Sequence, residues 1–217
     1  MTLLVALLAL SYLMGSFPTS IIVARRARGI DIREHGSGNA GGTNVLRVVG
    51  WRAALVVAVV DVGKGALAAA LPMLMTRAAI PLNRMDACAL CGACAVVGHI
   101  YPVFARFRGG KGVGTSAGMF AVTQPLALAL AAPVFVAAVW ATRWVSLGSI
   151  LGALAIPVAI TFTRGGEWIG ANRIAFGASV AIAALIFFKH RENISRMIRG
   201  RESRLGGSRE NLKETHR

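Results

Sequence analysis

The stretch GVGTSAGMFAVTQPLALALAAPVFVAAVWA, residues Gly112–Ala141, decides how many times this chain crosses a membrane. It can form one long tilted helix or two shorter helices that are separated near Gln124–Pro125. Proline has no backbone N–H and disfavours helical geometry in the residue before it, which favours a break at that point. The choice between the two arrangements then depends on where the rest of the chain places its charges.

The composition is that of a membrane protein. Of the 217 residues, 55% are hydrophobic and only 15% are charged, and the mean hydropathy is +0.62. A soluble domain carries about a quarter of its residues as charged groups. Long apolar runs dominate, which predicts a polytopic α-helical bundle. The first run, Leu3–Ala24, is not preceded by a basic segment, and we interpret it as a retained span and not as a cleaved signal peptide.

Charge distribution favours seven spans, at about 3–24, 52–75, 86–105, 112–123, 125–141, 147–163 and 173–188. With seven spans, 19 of the 24 lysines and arginines lie on one face of the membrane, whereas six spans would divide them almost evenly. Basic residues are retained on the cytoplasmic side. The predicted fold is therefore an all-α bundle of seven transmembrane helices, with the N-terminus outside and the C-terminus cytoplasmic. Residues 1–199 form the membrane domain, and 200–217 form a basic tail too polar to fold alone.

Four polar segments interrupt the apolar chain, and the predicted topology places all of them on the cytoplasmic face. Unpaired polar groups cost several kcal/mol each in hydrocarbon, so polar segments that converge at one end of a bundle indicate a site. The segments are Ser37–Arg47 (SGNAGGTNVLR), Arg106–Thr115 (RFRGGKGVGT), Ser146–Ser149 (SLGS) and Lys189–Arg196 (KHRENISR).

The second of these segments is typical of an anion-binding loop. Glycines let consecutive backbone N–H groups point inward around an anion, Lys111 adds a charge, and Thr115 begins the next helix. It is not a nucleotide-binding P-loop, because Gly112 follows the lysine where serine or threonine is required. We predict a phosphate-binding loop without nucleotide hydrolysis. The alternative is a flexible basic connector.

The first and last segments offer further polar groups. Ser37–Arg47 combines hydroxyls, amides and an arginine, which suits a phosphorylated polyol, although the same residues are common in turns. If the final helix continues past the membrane, His190 and Asn193 share a face and could meet one ligand; a headgroup contact is the alternative for His190. Asp61 and Lys64, three residues apart in the second span, are read as an internal ion pair or as an ion-coupling site.

Several classes of function are not favoured. The net charge of +15 lies in loops and in the tail and has no basic face interleaved with aromatic residues, so nucleic-acid binding is not expected. Cys88, Cys91 and Cys94 lie in an apolar span, where cysteine is a small packing residue. No His, Cys and carboxylate cluster has metal-ligand spacing, so neither a metal nor a cofactor is expected.

Three long motifs, in order, resemble the bacterial acyl-phosphate-dependent glycerol-3-phosphate acyltransferases, the PlsY family. They are SGNAGGTNVLR from Ser37, GHIYPVFARFRGGKGVGT from Gly98, and HRENISRMIRGRE from His190. The GSFP at Gly15–Pro18 and the DVGKG at Asp61–Gly65 also match. Where family members often have alanine, this chain has Gly42 and Gly114. The resemblance extends through nearly the whole chain.

The resemblance implies a bacterial inner-membrane enzyme with its active site facing the cytoplasm. It would transfer a fatty acyl group from acyl phosphate to the 1-hydroxyl of glycerol 3-phosphate, giving lysophosphatidate and phosphate for phospholipid synthesis. A monomer in the lipid bilayer is expected. The implied catalytic residues are Ser37, Lys111, His190 and Asn193. The implied substrate-binding residues are Asn39, Thr43, Asn44, Arg47, Gly109, Gly110, Gly112, Thr115 and Ser146, with Ser149 one turn away as an alternative to Ser146. Glu202 would be structural.

No protein nucleophile or base pair is apparent. No histidine is followed four residues later by aspartate, and no G-x-S-x-G nucleophile elbow is predicted, because the GTSAG at Gly114–Gly118 lies inside a predicted membrane span. An acyl phosphate has a good leaving group, and the departing phosphate can accept the hydroxyl proton. We therefore expect direct transfer, in which the protein supplies positioning and charge stabilisation. The alternative function is a transporter of a phosphorylated small solute that uses Asp61 and Lys64.

Overall fold

The computed structural model describes residues 1–76 and 80–206, and its regular structure is helical throughout these ranges. The all-α fold class is therefore confirmed. Short 3-10 turns occur at Ile32–Glu34, Leu71–Leu74 and Val103–Ala105. Within the described residues the ten α-helices are α1 (Thr2–Gly15), α2 (Thr19–Arg28), α3 (Gly42–Val48), α4 (Trp51–Ala70), α5 (Arg84–Ile100), α6 (Val113–Thr123), α7 (Pro125–Thr142), α8 (Val145–Ala171), α9 (Arg173–Lys189) and α10 (Arg191–Ile198).

Five stretches in the described part of the chain are long and apolar enough to cross a membrane. They are Thr2–Arg28, Trp51–Leu74, Arg84–Ala105, Pro125–Thr142 and Val145–Ala171, and α9 with α10 makes a sixth if the 50° bend between them is allowed. The helix α6 has 11 residues and rises by only about 16 Å, which is less than the ~30 Å of the hydrocarbon core. Each of the seven predicted ranges contains a helix, but the count of seven spans and the orientation of the termini stay predictions.

The break inside Gly112–Ala141 is confirmed. Helix α6 ends at Thr123, Gln124 adopts φ −144° and ψ 58°, and α7 begins at Pro125. Proline is well suited to the first position of a helix, where its missing N–H would have no helical partner. The same residue cannot continue α6, so one proline both ends one helix and begins the next.

Glycines allow the helices to approach closely. A Cβ atom added at Gly118 of α6 would lie 1.9 Å from the carbonyl oxygen of Val62 in α4, and one added at Gly148 of α8 would lie 2.5 Å from Val139 in α7. The predicted close approach at the Gly114–Gly118 and Gly148–Gly152 pairs is thus observed at one member of each. Small residues at such positions give membrane helices the close packing on which their association depends.

Two apolar cores support the polar end of the bundle. The larger one includes Val96, Met119, Ile160 and Ile186 and joins α5, α6, α8 and α9. The smaller one includes Ile32, Val45, Val57 and Ala105 and lies under the loop between α2 and α3. The first polar segment is therefore attached to α4 and to the Val103–Ala105 turn.

The buried charges in the second span form an ion pair, as one of the two interpretations predicted. The Nζ of Lys64 lies 2.9 Å from Oδ1 of Asp61, and both side chains are less than a tenth exposed. Thr19 donates a hydrogen bond to the same carboxylate at 3.2 Å, and Lys64 donates to the carbonyl oxygen of Phe17 at 3.1 Å. The pair therefore joins α4 to the junction of α1 and α2.

Candidate functional site

The first polar segment is folded around the side chain of Asn44, which is 1% exposed. Its amide nitrogen donates to the carbonyl oxygens of Ile32, His35 and Asn39 at 2.9–3.1 Å, and its amide oxygen accepts from the Ser37 N–H at 3.0 Å. Every polar atom of Asn44 is therefore used by the loop backbone. The geometry assigns Asn44 the task of shaping the loop.

The other predicted residues of this loop have free polar atoms. Ser37 is exposed and Asn39 and Thr43 are half-buried, and none of their side chains has a hydrogen bond among the described residues. Thr43 lies in the first turn of α3, which begins at Gly42. These three side chains remain available to a ligand at the polar end of the bundle.

The glycine loop is attached to the end of α5. The N–H of Gly109 donates to the Ile100 carbonyl at 3.3 Å, and the N–H of Gly110 donates to the His99 carbonyl at 3.2 Å. Both N–H groups are therefore hydrogen-bonded to the end of α5, and contact of Gly109 and Gly110 with substrate stays a prediction. The role of Gly109 and Gly110 in the site is to allow this close attachment.

Backbone N–H groups without a hydrogen-bond partner among the described residues begin at Lys111, directly after Gly110. The first helical bond of α6 is from the Ser116 N–H to the Gly112 carbonyl, at 2.8 Å, and Gly112 adopts φ 86°. The backbone N–H groups from Lys111 to Thr115 have no hydrogen bond to any described residue. The positive end of a helix with free donors favours an anion. The hydroxyl of Thr115 is fully buried and has no hydrogen-bond partner among the described residues.

Three of the predicted site residues converge on Glu202. The Lys111 ammonium donates to the Asn193 amide oxygen, and the Asn193 amide nitrogen donates to Oε1 of Glu202 at 2.6 Å. Ser146 donates to the same oxygen at 2.7 Å, and Arg196 donates to Oε2 at 2.8 Å. The glycine loop, α8, α10 and the segment after α10 therefore meet at one buried carboxylate.

Arg47 joins this cluster from α3. Its guanidinium donates to the carbonyl oxygen of Ser203 at 2.9 Å, and its Nε is buried without a partner among the described residues. Arg47, Lys111 and Arg196 thus surround a single carboxylate, which leaves an excess of positive charge. Such a cluster favours an anionic ligand.

Two pKa values reflect this arrangement. Burial and then the nearby Arg196 lower the pKa of Lys111 to about 8. Burial alone would raise the pKa of Glu202, but the hydrogen bonds from Asn193, Ser146 and Arg196 lower it overall. At neutral pH the site therefore contains an ionised carboxylate and a lysine whose ammonium is close to titrating.

Ser146 and Ser149, the two alternatives for a substrate contact, differ in their hydrogen-bond partners. Ser146 donates to Glu202, whereas Ser149 donates to the Val145 carbonyl of its own helix at 2.8 Å. Only Ser146 therefore bonds within the cluster, although both serines are buried.

His190 lies at the break between α9 and α10 and is 3% exposed. The final helix does not continue past the membrane in a straight line, as one prediction assumed, because it bends by 50° at this residue. Nδ1 lies 2.7 Å from the Ile186 carbonyl, and a carbonyl can only accept, so Nδ1 carries the proton. In a neutral imidazole Nε2 is then an acceptor that is free for a substrate hydroxyl.

Residues 200–206, predicted to belong to a separate tail, lie against the bundle. Glu202 is buried, Ser203 accepts from Arg47, and the N–H of Leu205 donates to the Arg143 carbonyl at 2.7 Å. Residues 207–217 of the predicted tail lie outside the described residues. Glu202, which the resemblance implied to be structural, and Arg196, which was not among the predicted site residues, both belong to the motif HRENISRMIRGRE.

Comparisons with known proteins agree on one family. The model of the family described as glycerol-3-phosphate acyltransferase matches residues 5–200. The glycerol-3-phosphate acyltransferase of Chlorobaculum parvum is 42% identical over 222 residues, which cover 92% of this chain and 95% of that protein. The enzyme of the same description from Bacillus cytotoxicus is 42% identical over 192 residues, which cover 88% of this chain and 90% of that protein.

Solved structures extend this agreement to the fold. The crystal structure of PlsY, an integral membrane glycerol 3-phosphate acyltransferase, in its glycerol 3-phosphate form has a TM-score of 0.82 and 31% identity, and 99% of each chain is covered. The lysophosphatidic acid form of PlsY has a TM-score of 0.79, with 94% of this chain and 95% of that chain covered. With its apolar helices and its matching motifs, this chain belongs to the PlsY-type glycerol-3-phosphate acyltransferases, multi-pass bacterial membrane enzymes of phospholipid synthesis.

Proposed function

We propose that this enzyme takes its acyl group from an acyl phosphate and transfers it to the 1-hydroxyl of sn-glycerol 3-phosphate. The products are lysophosphatidate and inorganic phosphate. The observation that carries the proposal is the convergence of Lys111, Asn193, Ser146 and Arg47 at one end of the bundle. This is a cationic and hydroxyl-bearing site of the kind that two phosphorylated substrates require.

Glycerol 3-phosphate would bind between α3, α8 and α10. Arg47 offers a buried Nε and Lys111 an ammonium to the phosphate, and the free N–H groups that begin at Lys111 add neutral donors. His190, Asn193 and Ser37 would contact the glycerol hydroxyls, with Nε2 of His190 as an acceptor. Asn39 and Thr43 would offer their side chains to the substrate, and Asn44 would keep the first loop in place around it.

The transfer itself needs no covalent enzyme intermediate. The glycerol oxygen attacks the carbonyl carbon of the acyl phosphate, a tetrahedral intermediate forms, and the bond from that carbon to the bridging oxygen breaks. The hydroxyl proton passes to the departing phosphate. Lys111 and the first turn of α6 would stabilise the negative charge on the phosphate as the bond breaks, which is electrostatic catalysis by groups already in position.

We further propose that the site faces the cytoplasm of the inner membrane and that the acyl chain enters laterally from the bilayer. No cofactor is needed, and one copy of the chain suffices because all proposed residues come from it. The membrane domain of this proposal is residues 1–199, to which the Glu202 segment is added by its contacts with Ser146 and Asn193.

The experiment that tests the proposal is a donor comparison with the purified protein. Radiolabelled glycerol 3-phosphate is incubated with palmitoyl phosphate, palmitoyl coenzyme A or palmitoyl acyl carrier protein. We expect labelled lysophosphatidate and an equal amount of phosphate with palmitoyl phosphate alone. Transfer from a thioester and not from the acyl phosphate would refute the proposed donor. Exchange of labelled solute across vesicles without any acyl transfer would instead favour the transporter.

A further inference from the structure

A buried polar cluster lies beneath the glycine loop, outside the residues assigned to substrate. It consists of Thr19, Asp61, Lys64 and His99, which come from α2, α4 and α5. Nδ1 of His99 lies 3.6 Å from Oδ1 of Asp61, and the side chains of both residues are 8% exposed. Asp61 therefore has charged or donor groups on three sides, from Thr19, Lys64 and His99.

The same histidine contacts the glycine loop with its other nitrogen. A Cβ atom added at Gly110 would lie 2.3 Å from Nε2 of His99 and 2.8 Å from the carbonyl oxygen of Ala40. The imidazole therefore occupies the space that a side chain at position 110 would need. Because the His99 carbonyl also accepts from the Gly110 N–H, one residue contacts the loop through both its ring and its backbone.

The space between the cluster and the loop is too small for a substrate. Thr19, Asp61, Lys64, His99, Gly109 and Gly110 share the lining of a cavity with room for about one water molecule. A second ligand site is thus not favoured at this place. The arrangement instead indicates mechanical support of the loop from below.

We propose that His99 is a positioning residue, whose ring is oriented by Asp61 and supports Gly110 so that Lys111 is directed to Asn193. The inference rests on the proposed function, because it concerns how the proposed phosphate-binding lysine is placed. Lys111 follows Gly110 directly, and its ammonium donates to the Asn193 amide. A displacement of about 1 Å in a group that positions substrate can lower a rate by about 10²-fold.

A double-mutant cycle separates this role from general stabilisation of the bundle. His99→Asn retains a donor for Asp61 but removes the ring from Gly110, and Gly110→Ala introduces the Cβ that the ring excludes. We expect the single variant His99→Asn to lower kcat/KM by at least tenfold and the single variant Gly110→Ala to lower it by a larger factor. In the double variant we expect a loss smaller than the product of the two, because the Cβ no longer meets the imidazole and only its close approach to the Ala40 carbonyl oxygen remains. Coupling of this kind is seen only between residues that act on each other.

The control is His35→Asn, at an exposed histidine whose ring has the Asp31 carbonyl oxygen as its single hydrogen-bond partner among the described residues. We expect it to leave kcat/KM within about twofold. If His99→Asn does not fold, Asp61→Asn, which frees the ring from its orienting carboxylate, takes its place in the cycle with Gly110→Ala. A folded His99→Asn variant with unchanged kcat/KM, or losses that multiply in the double variant, would overturn the inference.

The same variants are also compared by calorimetric binding of glycerol 3-phosphate. We expect the Kd to rise at least tenfold in His99→Asn and to remain unchanged in His35→Asn. Failure of the unchanged enzyme to use palmitoyl phosphate would count against the proposed donor alone, since the binding measurements still decide the role of His99. An unchanged Kd together with unchanged kcat/KM in the His99 variant would count against the positioning role alone.

Discussion

The side chains of Asn193 and Glu202 are joined by a hydrogen bond of 2.6 Å from the amide nitrogen to Oε1. Because this nitrogen is engaged by the carboxylate, the amide oxygen is left for Lys111. One hydrogen bond therefore determines which way the amide faces and, through it, where the ammonium lies. Glu202 acts on the proposed site through its neighbours, without needing to touch substrate.

Glu202→Gln should impair both stability and turnover. A glutamine amide offers one acceptor and one donor group where Ser146, Asn193 and Arg196 all donate, so at least one donor loses its partner. An unsatisfied buried group costs about 1–3 kcal/mol. We expect a lower melting temperature in detergent and a loss of kcat/KM of at least tenfold. Wild-type values for both would show that the carboxylate is not needed.

Lys111→Ala should abolish measurable turnover, because it removes the ammonium that we propose stabilises the departing phosphate. Removal of one such electrostatic group typically costs about 10²–10³ in kcat. The measurement is phosphate release with palmitoyl phosphate as donor. Arg199→Ala, which removes an exposed charge at the end of α10, is the control and should retain activity. Substantial activity in Lys111→Ala would refute the role.

The dependence of kcat/KM on pH should follow Lys111. Its pKa is lowered to about 8 by burial, followed by the effect of Arg196, so the ammonium is lost as the pH rises through about 8. We expect kcat/KM to fall above this pH. In a Lys111→Arg variant that retains activity, the fall should move to higher pH, because arginine stays charged. An unshifted fall in that variant would assign the titration to another group.

Whereas activity should fall as the pH rises, the contribution of Lys111 to the free energy of unfolding should increase. The pKa of Lys111 in the folded protein lies below the ordinary lysine value of 10.5, so between about pH 8 and 10.5 the unfolded chain binds more protons than the folded one. This contribution to stability therefore increases as the pH rises through that window. Thermal melts across the same pH range would separate loss of activity from unfolding.

Ser37→Ala should affect only the kinetics, whereas Asn44→Ala should also affect stability. The Ser37 hydroxyl has no hydrogen bond among the described residues, so its loss should change kinetics and leave the melting temperature within about 1 °C. Asn44→Ala removes the acceptor and donors of the buried loop network and should lower both the melting temperature and kcat/KM. Melting curves and kcat/KM of the two variants provide the check. Equal melting temperatures would contradict the loop-shaping role of Asn44.

Two glycines of α4 allow a matched test of helix packing. A Cβ at Gly65 would lie 2.0 Å from the Thr115 carbonyl oxygen, whereas a Cβ at Gly63 would meet nothing within 4 Å. Gly65→Ala should separate α4 from α6 and lower the melting temperature. Gly63→Ala should be neutral or slightly stabilising, since alanine favours a helix by up to about 1 kcal/mol over glycine. Similar melting temperatures for the two variants would contradict the observed packing.

The sequence by itself determined the properties that depend on local composition and spacing. The apolar runs predicted a helical membrane protein, Pro125 favoured the break after Gln124, and Asp61 and Lys64, three residues apart, were consistent with an internal ion pair, one of two interpretations. These features follow from the geometry of a single helix or from the chemistry of a single residue, so no other part of the chain is needed to infer them. The polar segments and the family resemblance likewise placed Lys111, Asn193 and Ser146 in one candidate site.

Only the tertiary structure decided which groups meet. Glu202, 56 residues beyond Ser146, lies between that serine, Asn193 and Arg196, and no periodicity relates these positions. The N–H groups of Gly109 and Gly110 turned out to be used by α5, and the final helix bends at His190. Helical spacing determines which residues share one face of a helix. The contacts between helix ends and loops depend on how whole helices pack, which is why the partners of Glu202, already expected to be structural, became apparent only in three dimensions.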